Sequence, residues 1–399
     1  MWRSRCRAEW RCATPKASQT LQMKNRSRPL PATSTAVNPS LLRASETGTA
    51  EYCRRFSARF VTDYFRTTPS GLTLSSIGVG TYLGEATDAD DDAYEVAIRH
   101  AINGGVNLID TAINYRGQRS ERVIGAVLQD AIASGEALRQ EIIVCSKGGY
   151  IPLEPNPPAT REAYRAYVKR EFIDQEILTA DDIVAGGHSL APRFLRYCLA
   201  RSRQNLGVRT IDVYYLHNPE QHLGTISRGE LLQRIRAAFA VLEEACSRGE
   251  IGVYGCATWD ALRVPPEHPT HLGLEELVGL ARGVAGDSHH FRVAQMPINL
   301  AAPEAIQSAT QPLRGNRVTP LTAAAALGLV VIASATLMQA RLTRGLPEAL
   351  HEPFPQCSSD AQRAIEFVRS MPGVATALIG MKRVEHVEEN LGGVRLTGA

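Results

Sequence analysis

Four polar side chains stand where apolar runs end. Asp110 closes "NLID", Tyr115 follows it by five positions, Lys147 closes "IIVCSK" and His217 closes "IDVYYLH". A phenol with an ordinary pKa of about 10 is a poor acid at neutral pH, but a nearby ammonium favours its phenolate and lowers that value. Lys147 can supply the ammonium, and Asp110 would hold it charged and in place, because an unpaired buried charge is costly. His217, as a neutral imidazole, can orient a carbonyl oxygen. The set suits protonation of a carbonyl oxygen while its carbon is attacked. Singly, the same residues read as a turn cap, a loop aromatic, a surface lysine and a rim histidine. Their placement on the ends of consecutive strands is what gives them a joint meaning.

The elements that must bring them together follow from the texture of the chain after Leu72. Short apolar runs bounded by Gly, Asn or Asp alternate with helical periodicity, the pattern of repeated βα units around a parallel sheet. Strands are predicted at Ser75 to Val79, Asn107 to Asp110, Ile142 to Ser146, Ile211 to Leu216, Ile251 to Cys256, Phe291 to Gln295, Leu329 to Ala333 and Thr376 to Ile379. Helices are predicted at Asp90 to Asn103, Ser120 to Ile132, Ala191 to Leu206, Gly229 to Arg248, Gly273 to Arg282, Thr319 to Leu327, Ser359 to Ser370 and Val384 to Leu391. Eight such units point to an α/β fold, a (β/α)8 TIM-type barrel whose strand ends share one mouth. A dinucleotide-binding open sheet would need G-x-G-x-x-G after its first strand, and Gly78-Val79-Gly80-Thr81 does not continue that way. Residues 150–190, after the third strand, are far longer than an ordinary βα connection, and such a loop on the active face reads as a lid.

Composition narrows the classes. Of the 399 residues, 44% are hydrophobic, enough for a large core. Residues 1–50 hold nine Lys or Arg against two Glu, a net of +7, so with +3 overall the remainder carries −4. This first segment is expected to be disordered or targeting sequence, and 51–399 to form the barrel. The mildly acidic body does not suggest nucleic acid as a partner. The apolar run around Leu321 to Leu337 falls short of a membrane span. The eight cysteines contain no CxxC pair and read as buried thiols, which fits a cytoplasmic location, with an organelle as the alternative if residues 1–50 are a transit segment. An aromatic-bearing helical stretch near Glu51 to Phe65 is expected to pack under the barrel or to mediate contacts, and oligomeric state stays open.

With these motifs laid out, the chain resembles the aldo-keto reductases. "NLIDTAINYRGQRSERVIG" matches the family's strand-two signature, "SKGG" its lysine strand, "YYLHNPE" its histidine strand and "VATALIGMKRVEHVEENL" its last strand and following helix. The resemblance runs from about Leu72 to Leu391 and implies a barrel that holds a nicotinamide cofactor across its mouth and reduces an aldehyde or ketone to an alcohol. It implies Tyr115 as proton donor, Lys147 and Asp110 as its tuning pair and His217 as the carbonyl-orienting group. Cofactor contacts are implied for Gly80, Thr81, Asp110, Thr258, Gln295, Lys382, Arg383, Glu389 and Asn390. Two adjacent cations, Lys382 and Arg383, favour NADPH over NADH on charge grounds.

Two positions depart from the family pattern. Ala257-Thr258 replaces a common Ser-Asn, and Ser334 stands where an aromatic often stacks on the nicotinamide, with Trp259 or Tyr82 as possible substitutes. "HNPEQH" places His217, Glu220 and His222 close together, but not at the H-E-x-x-H spacing of a helical metal site, so no metal is expected. "YRAYVKR" has Tyr164 and Lys169 one residue too far apart for a one-turn Tyr–Lys pair. An alternative function for the same barrel is an NADP(H)-binding sensor or regulatory subunit with little turnover.

Overall fold

The computed structural model describes residues 43–396. Most of the basic segment expected over 1–50 lies outside them. The barrel strands are β1 (Ile77–Gly80), β2 (Leu108–Asp110), β3 (Ile143–Gly148), β4 (Ile211–His217), β5 (Ile251–Ala257), β6 (Phe291–Pro297), β7 (Val330–Ser334) and β8 (Val374–Gly380). All pair in parallel, and β8 joins β1 to close the barrel. Alternation along each strand splits the core into two layers. Val213 and Tyr215 of β4 face the barrel interior with Leu108, Ile143, Val293 and Ile332, whereas Tyr214 and Leu216 belong to the cluster that includes the helices.

The helices are α1 (Asp88–Asn103), α2 (Arg119–Ala133), α3 (Pro192–Leu206), α4 (Arg228–Ser247), α5 (Leu274–Ala285), α6 (Pro320–Ala326), α7 (Asp360–Arg369) and α8 (Val384–Gly392). Local chemistry explains their starts. Thr87 caps α1 by accepting from the amide of Asp90, and Asp88, Asp90 and Asp91 place negative charge in the first turn, where the helix dipole favours it. Each predicted strand and helix is present, with ends displaced by no more than a few residues.

The first predicted strand, Ser75 to Val79, is instead divided. Thr73–Ser75 pairs with Phe65–Thr67 as an antiparallel hairpin, and the barrel strand begins only at Ile77. The break has a local cause: Ser75 Oγ donates to Ile77 O at 2.8 Å and the Ser75 amide donates to Asn107 Oδ1 at 2.8 Å, bonds that compete with the sheet ladder. Leu74 and Ala44 join the interior cluster, so this segment stops the end of the barrel opposite the strand carboxyl ends. The aromatic helix near Glu51 begins earlier, at Glu46, and ends at Phe56. Tyr52 of that helix donates to Val106 O at 3.0 Å, which ties it to the turn after α1.

The long segment after β3 is folded rather than open. It leaves beside Gly149 and returns beside it, with Ile151 N donating to Gly187 O at 2.8 Å and Ser189 N to Gly149 O at 2.8 Å. Between these ends it forms the helix Arg161–Val168. Val168, Phe172 and Leu178 pack with Phe194 and Cys198 of α3 and with Ile113. That apolar footing anchors the excursion on α3 and the turn after β2.

Candidate active site

At the carboxyl end of β2 the carboxylate of Asp110 meets the ammonium of Lys147 from β3 in a direct ion pair. Lys147 Nζ also donates to Thr111 O at 2.8 Å, and Gln295 Nε2 of β6 donates to the other Asp110 oxygen at 2.8 Å. Asp110 is 4% and Lys147 1% exposed, so each charge would be untenable without the other. Neighbouring backbone adds to the order: Thr81 donates to Asp110 O through both its amide and its hydroxyl at 3.2 Å.

Tyr115 sits one turn further, half-buried, with Lys147 Nζ 5.3 Å from its ring centre. Its turn is pinned by Arg116, which adopts a left-handed backbone (φ 51). The Arg116 guanidinium donates to Asp91 Oδ1 at 2.6 Å and to Glu85 O at 2.9 Å and stacks over Tyr94. The Tyr115 phenol is held well above its ordinary pKa, by burial first and then by Asp110 and Tyr82. This corrects the expectation that Lys147 lowers it. Burial first and the Asp110 charge second outweigh the ammonium, so the phenol keeps its proton.

His217, at the end of β4, faces Tyr115 with ring centres 5.8 Å apart and planes near perpendicular. Burial, then the charge of Lys147, then His188 hold its imidazole well below its ordinary pKa, hence neutral at pH 7. Tyr150 packs edge-on against it at 4.9 Å.

These groups border a cavity of about 1170 Å³ that continues from the strand ends to the start of α8. Asp110, Tyr115 and His217 line one end, and Gly80, Thr81, Thr258 and Gln295 line the walls. Lys382, Glu389 and Asn390 line the far end. Lys147 lies behind this lining, reaching the site through Asp110. Arg383 is exposed and outside the lining. Its backbone is extended, and adjacent residues in extended chain direct their side chains to opposite sides, so Lys382 borders the cavity while Arg383 faces solvent. Lys382 also carries a partner the sequence did not announce, Asp90 Oδ1 at 2.7 Å.

Of residues 150–190, Tyr150 lines the cavity in this structure. Other lining residues that motif reading passed over are Asn114, Asn218 and Arg344. Arg344 lies in the connection after β7, which has neither periodicity nor motif to mark it. Tyr82 and Trp259, suggested as substitutes for a missing aromatic, both line the cavity and are 56% and 53% exposed. His222 faces His188 rather than sharing a site with His217 and Glu220. Among the described residues no group of three or more His, Cys, Asp or Glu side chains is arranged to hold a metal ion, and no helix is long and apolar enough to cross a membrane.

Residues 76–265 match the model of the aldo/keto reductase family. The chain is 29% identical over 189 residues to a D-threo-aldose 1-dehydrogenase from a Pseudomonas species, covering 47% of this chain and 50% of that protein. It is 28% identical over 195 residues to the NADH-specific methylglyoxal reductase of Escherichia coli K12, covering 48% of this chain and 50% of that protein. The matched stretch thus spans about half the length of these curated relatives. Among solved structures, an aldo/keto reductase from Klebsiella pneumoniae in complex with NADP and acetate aligns with a TM-score of 0.55 at 20% identity, over 84% of this chain and 92% of that one. An aldo-keto reductase from Bacillus halodurans in its holo form aligns with a TM-score of 0.53 at 18% identity, over 82% and 90%. These structures share the fold. Residues 76–265 are thus similar to the aldo/keto reductase family and lie on a closed eight-stranded barrel of the kind these solved structures have.

Proposed function

We propose that this protein is an NADPH-dependent oxidoreductase that reduces an aldehyde or ketone to an alcohol, with Tyr115 as proton donor. The observation that carries the reading is the convergence of a protonated Tyr115 phenol, a neutral His217 and the Asp110–Lys147 pair on one end of a cavity large enough for a dinucleotide beside a small substrate.

The walls fit a nicotinamide nucleotide. Thr258 Oγ1 is buried at the cavity wall with no hydrogen-bond partner among the described residues, as a group awaiting a ligand amide would be. Lys382 and Arg344 place cationic donors at the far end, suited to phosphate, and Asn390 and Glu389 lie beside them. The bound cofactor supplies hydride to the carbonyl carbon. The chain's own residues do the remainder. His217, neutral, donates a hydrogen bond that fixes the carbonyl oxygen. Tyr115 passes its phenolic proton to that oxygen as negative charge develops on it, and the ammonium of Lys147 stabilises the phenolate left behind. Asp110 keeps Lys147 charged and immobile, and Gln295 keeps Asp110 so.

The substrate end is lined by Tyr82, Tyr150, Trp259, Asn114 and Asn218, aromatic faces and amides without a free charge, which suits an uncharged carbonyl compound. The test is NADPH and NADH titration followed by turnover on a panel of small aldehydes and ketones. Tyr115→Phe is expected to bind NADPH normally and to lose on the order of 10²–10⁴ in kcat. Binding without turnover on any carbonyl would favour a sensor, and no nucleotide binding would sink the reading.

A further inference from the structure

The His217 ring has no side-chain partner of its own. Its Nδ1 is buried without a hydrogen bond among the described residues, so its position depends on packing against Tyr115 and Tyr150 and on the backbone from which it projects. That backbone is unusual: β4 ends at His217, and Asn218 turns into the left-handed region at φ 48. The carbonyl of His217 is therefore out of the sheet ladder. It accepts instead from His188 Nε2 at 2.6 Å, a side chain contributed by the returning end of the segment after β3.

Three features make this contact a built one. A carbonyl can only accept, so His188 Nε2 carries the hydrogen and its Nδ1 is the acceptor. The neighbouring His222 Nε2, 3.0 Å from that Nδ1, must then be the donor, which fixes both tautomers in one chain. His188 is 1% exposed and His222 fully buried. Burial holds both neutral, with His188 pushed down to about 4 and His222 to about 3. Space is reserved for the contact as well. Gly149 has φ +145, and a methyl group built on it would lie 2.6 Å from His188 Nε2 and 3.0 Å from His217 O. Only the absence of a side chain there lets the imidazole reach the strand end. Finally, Tyr150 is wedged between the two rings, 4.8 Å from His188 and 4.9 Å from His217, and its hydroxyl accepts from Asn218 Nδ2 at 2.9 Å.

We infer that His188 is a positioning residue for carbonyl reduction: through the His217 carbonyl and the Tyr150 ring it sets the angle at which His217 meets the substrate oxygen. The inference rests on the reductase reading for its kinetic consequence, but its structural content does not. It gives the segment after β3 a function that covering the mouth does not supply, since its returning end braces the active-site histidine from behind.

The experiment compares wild type, His188→Phe, which keeps a ring and removes the donor, and His188→Gln, whose amide can donate to the same carbonyl. NADPH dissociation constant, kcat and KM for the best aldehyde, and histidine ring ¹⁵N–¹H correlation spectra are recorded for each. The Phe variant is expected to lower kcat on the order of 10–100-fold, as a small misplacement of a catalytic group does, while NADPH affinity is unchanged. The ring signals of His217 should shift, and both effects should recede in the Gln variant. Unchanged kcat and unmoved His217 signals in the Phe variant overturn the proposal. Equal loss in both variants together with weakened NADPH binding also overturns it, because that is general structural damage. If wild type reduces no carbonyl, the reductase reading falls and the His217 ring signals alone decide whether His188 positions that ring. Should the Phe variant fail to fold, His222→Leu breaks the outer link of the chain. It is expected to shift the His188 and His217 ring signals, and spectra identical to wild type would reject the inference.

Discussion

At the strand ends Asp110, Lys147 and His217 are 4%, 1% and 8% exposed, and the two charges among them are paired with each other and hydrogen-bonded on further atoms. At the start of α8 the side chain of Lys382 is 31% exposed, Arg383 faces solvent, and Arg344 makes no ion pair among the described residues. One end of the cavity is thus set before any ligand arrives, in a low-dielectric pocket where fixed charges count most. The other keeps Arg383 and Arg344 in water and Lys382 only partly covered beside Asp90, so these cations can reorganise around an incoming anion. Under the proposed function, geometry is tight where bonds would break and looser where a phosphate would be recognised.

The sharpest way to break this comparison is to unpair the buried end. Lys147→Met leaves the Asp110 carboxylate buried with no counter-ion, and removal of one partner of such a pair costs about 3–5 kcal/mol. Urea unfolding should show that loss, and turnover should vanish with it. The double variant Lys147→Met with Asp110→Asn should recover much of the stability and none of the activity. A loss below about 1 kcal/mol in the single variant would mean that water reaches Asp110 and that the end is not as dry as its burial implies.

A second test uses pH on the same buried side. Glu220 is 5% exposed, and burial pushes its carboxyl up to about 7, although it accepts from the Trp259 amide at 2.7 Å. A folded-state value above the unfolded one means that the native state binds the extra proton between roughly pH 4.5 and 7, so this group's contribution is full at low pH and is lost as pH rises through 7. Glu220→Gln, which keeps the acceptor and removes the charge, should stabilise the protein by about 2–3 kcal/mol at pH 8 and by little at pH 5. His188 and His222, with lowered values, carry the opposite sign: their contribution is present above the unfolded histidine value and is lost as pH falls toward 4. Denaturation midpoints of Glu220→Gln across that range separate the two. A Glu220→Gln protein no more stable than wild type at pH 8 would show that the carboxyl is solvated.

How far the sequence revealed these two ends follows the same contrast. The strand-end residues were legible because an apolar run has one exit, and a polar residue at that exit can be placed without knowing any contact. Gln295 was legible for the same reason, although its bond to Asp110 was not. The Tyr115 pKa was misread because proximity of Lys147 is a spacing argument, whereas the sign of the shift is set first by burial and then by the Asp110 charge, neither of which spacing reveals. That Lys382 borders the cavity while Arg383 faces solvent was not legible, because adjacency in sequence is not adjacency in space for extended backbone. Arg344 and His188 were invisible: each lies in a connection without periodicity, and each reaches the site only because distant segments fold back. Asp90 was hidden differently. It reads as a first-turn acid of α1, which it is, and nothing local says that it also receives Lys382.

The smallest expected effect lies at that last contact, and it separates two meanings of an ion pair. Lys382 Nζ and Asp90 Oδ1 are 2.7 Å apart at the cavity wall. If Asp90 merely parks the lysine until a phosphate arrives, Lys382→Ala should weaken NADPH binding about tenfold, near 1.4 kcal/mol for a partly exposed charge-assisted contact, and leave NADH affinity almost unaltered. Asp90→Asn, which keeps the hydrogen-bond acceptor without its charge, should then tighten NADPH binding several-fold, because the anion no longer competes with a carboxylate. Affinities measured by fluorescence titration at two salt concentrations check the assignment, since an exposed phosphate contact weakens with ionic strength and a buried one much less. Equal losses for NADPH and NADH in Lys382→Ala would show that the lysine shapes the wall rather than reading the 2′-phosphate. In that case discrimination would have to come from Arg344, and the exposed end would be organised around the connection after β7 instead of the start of α8.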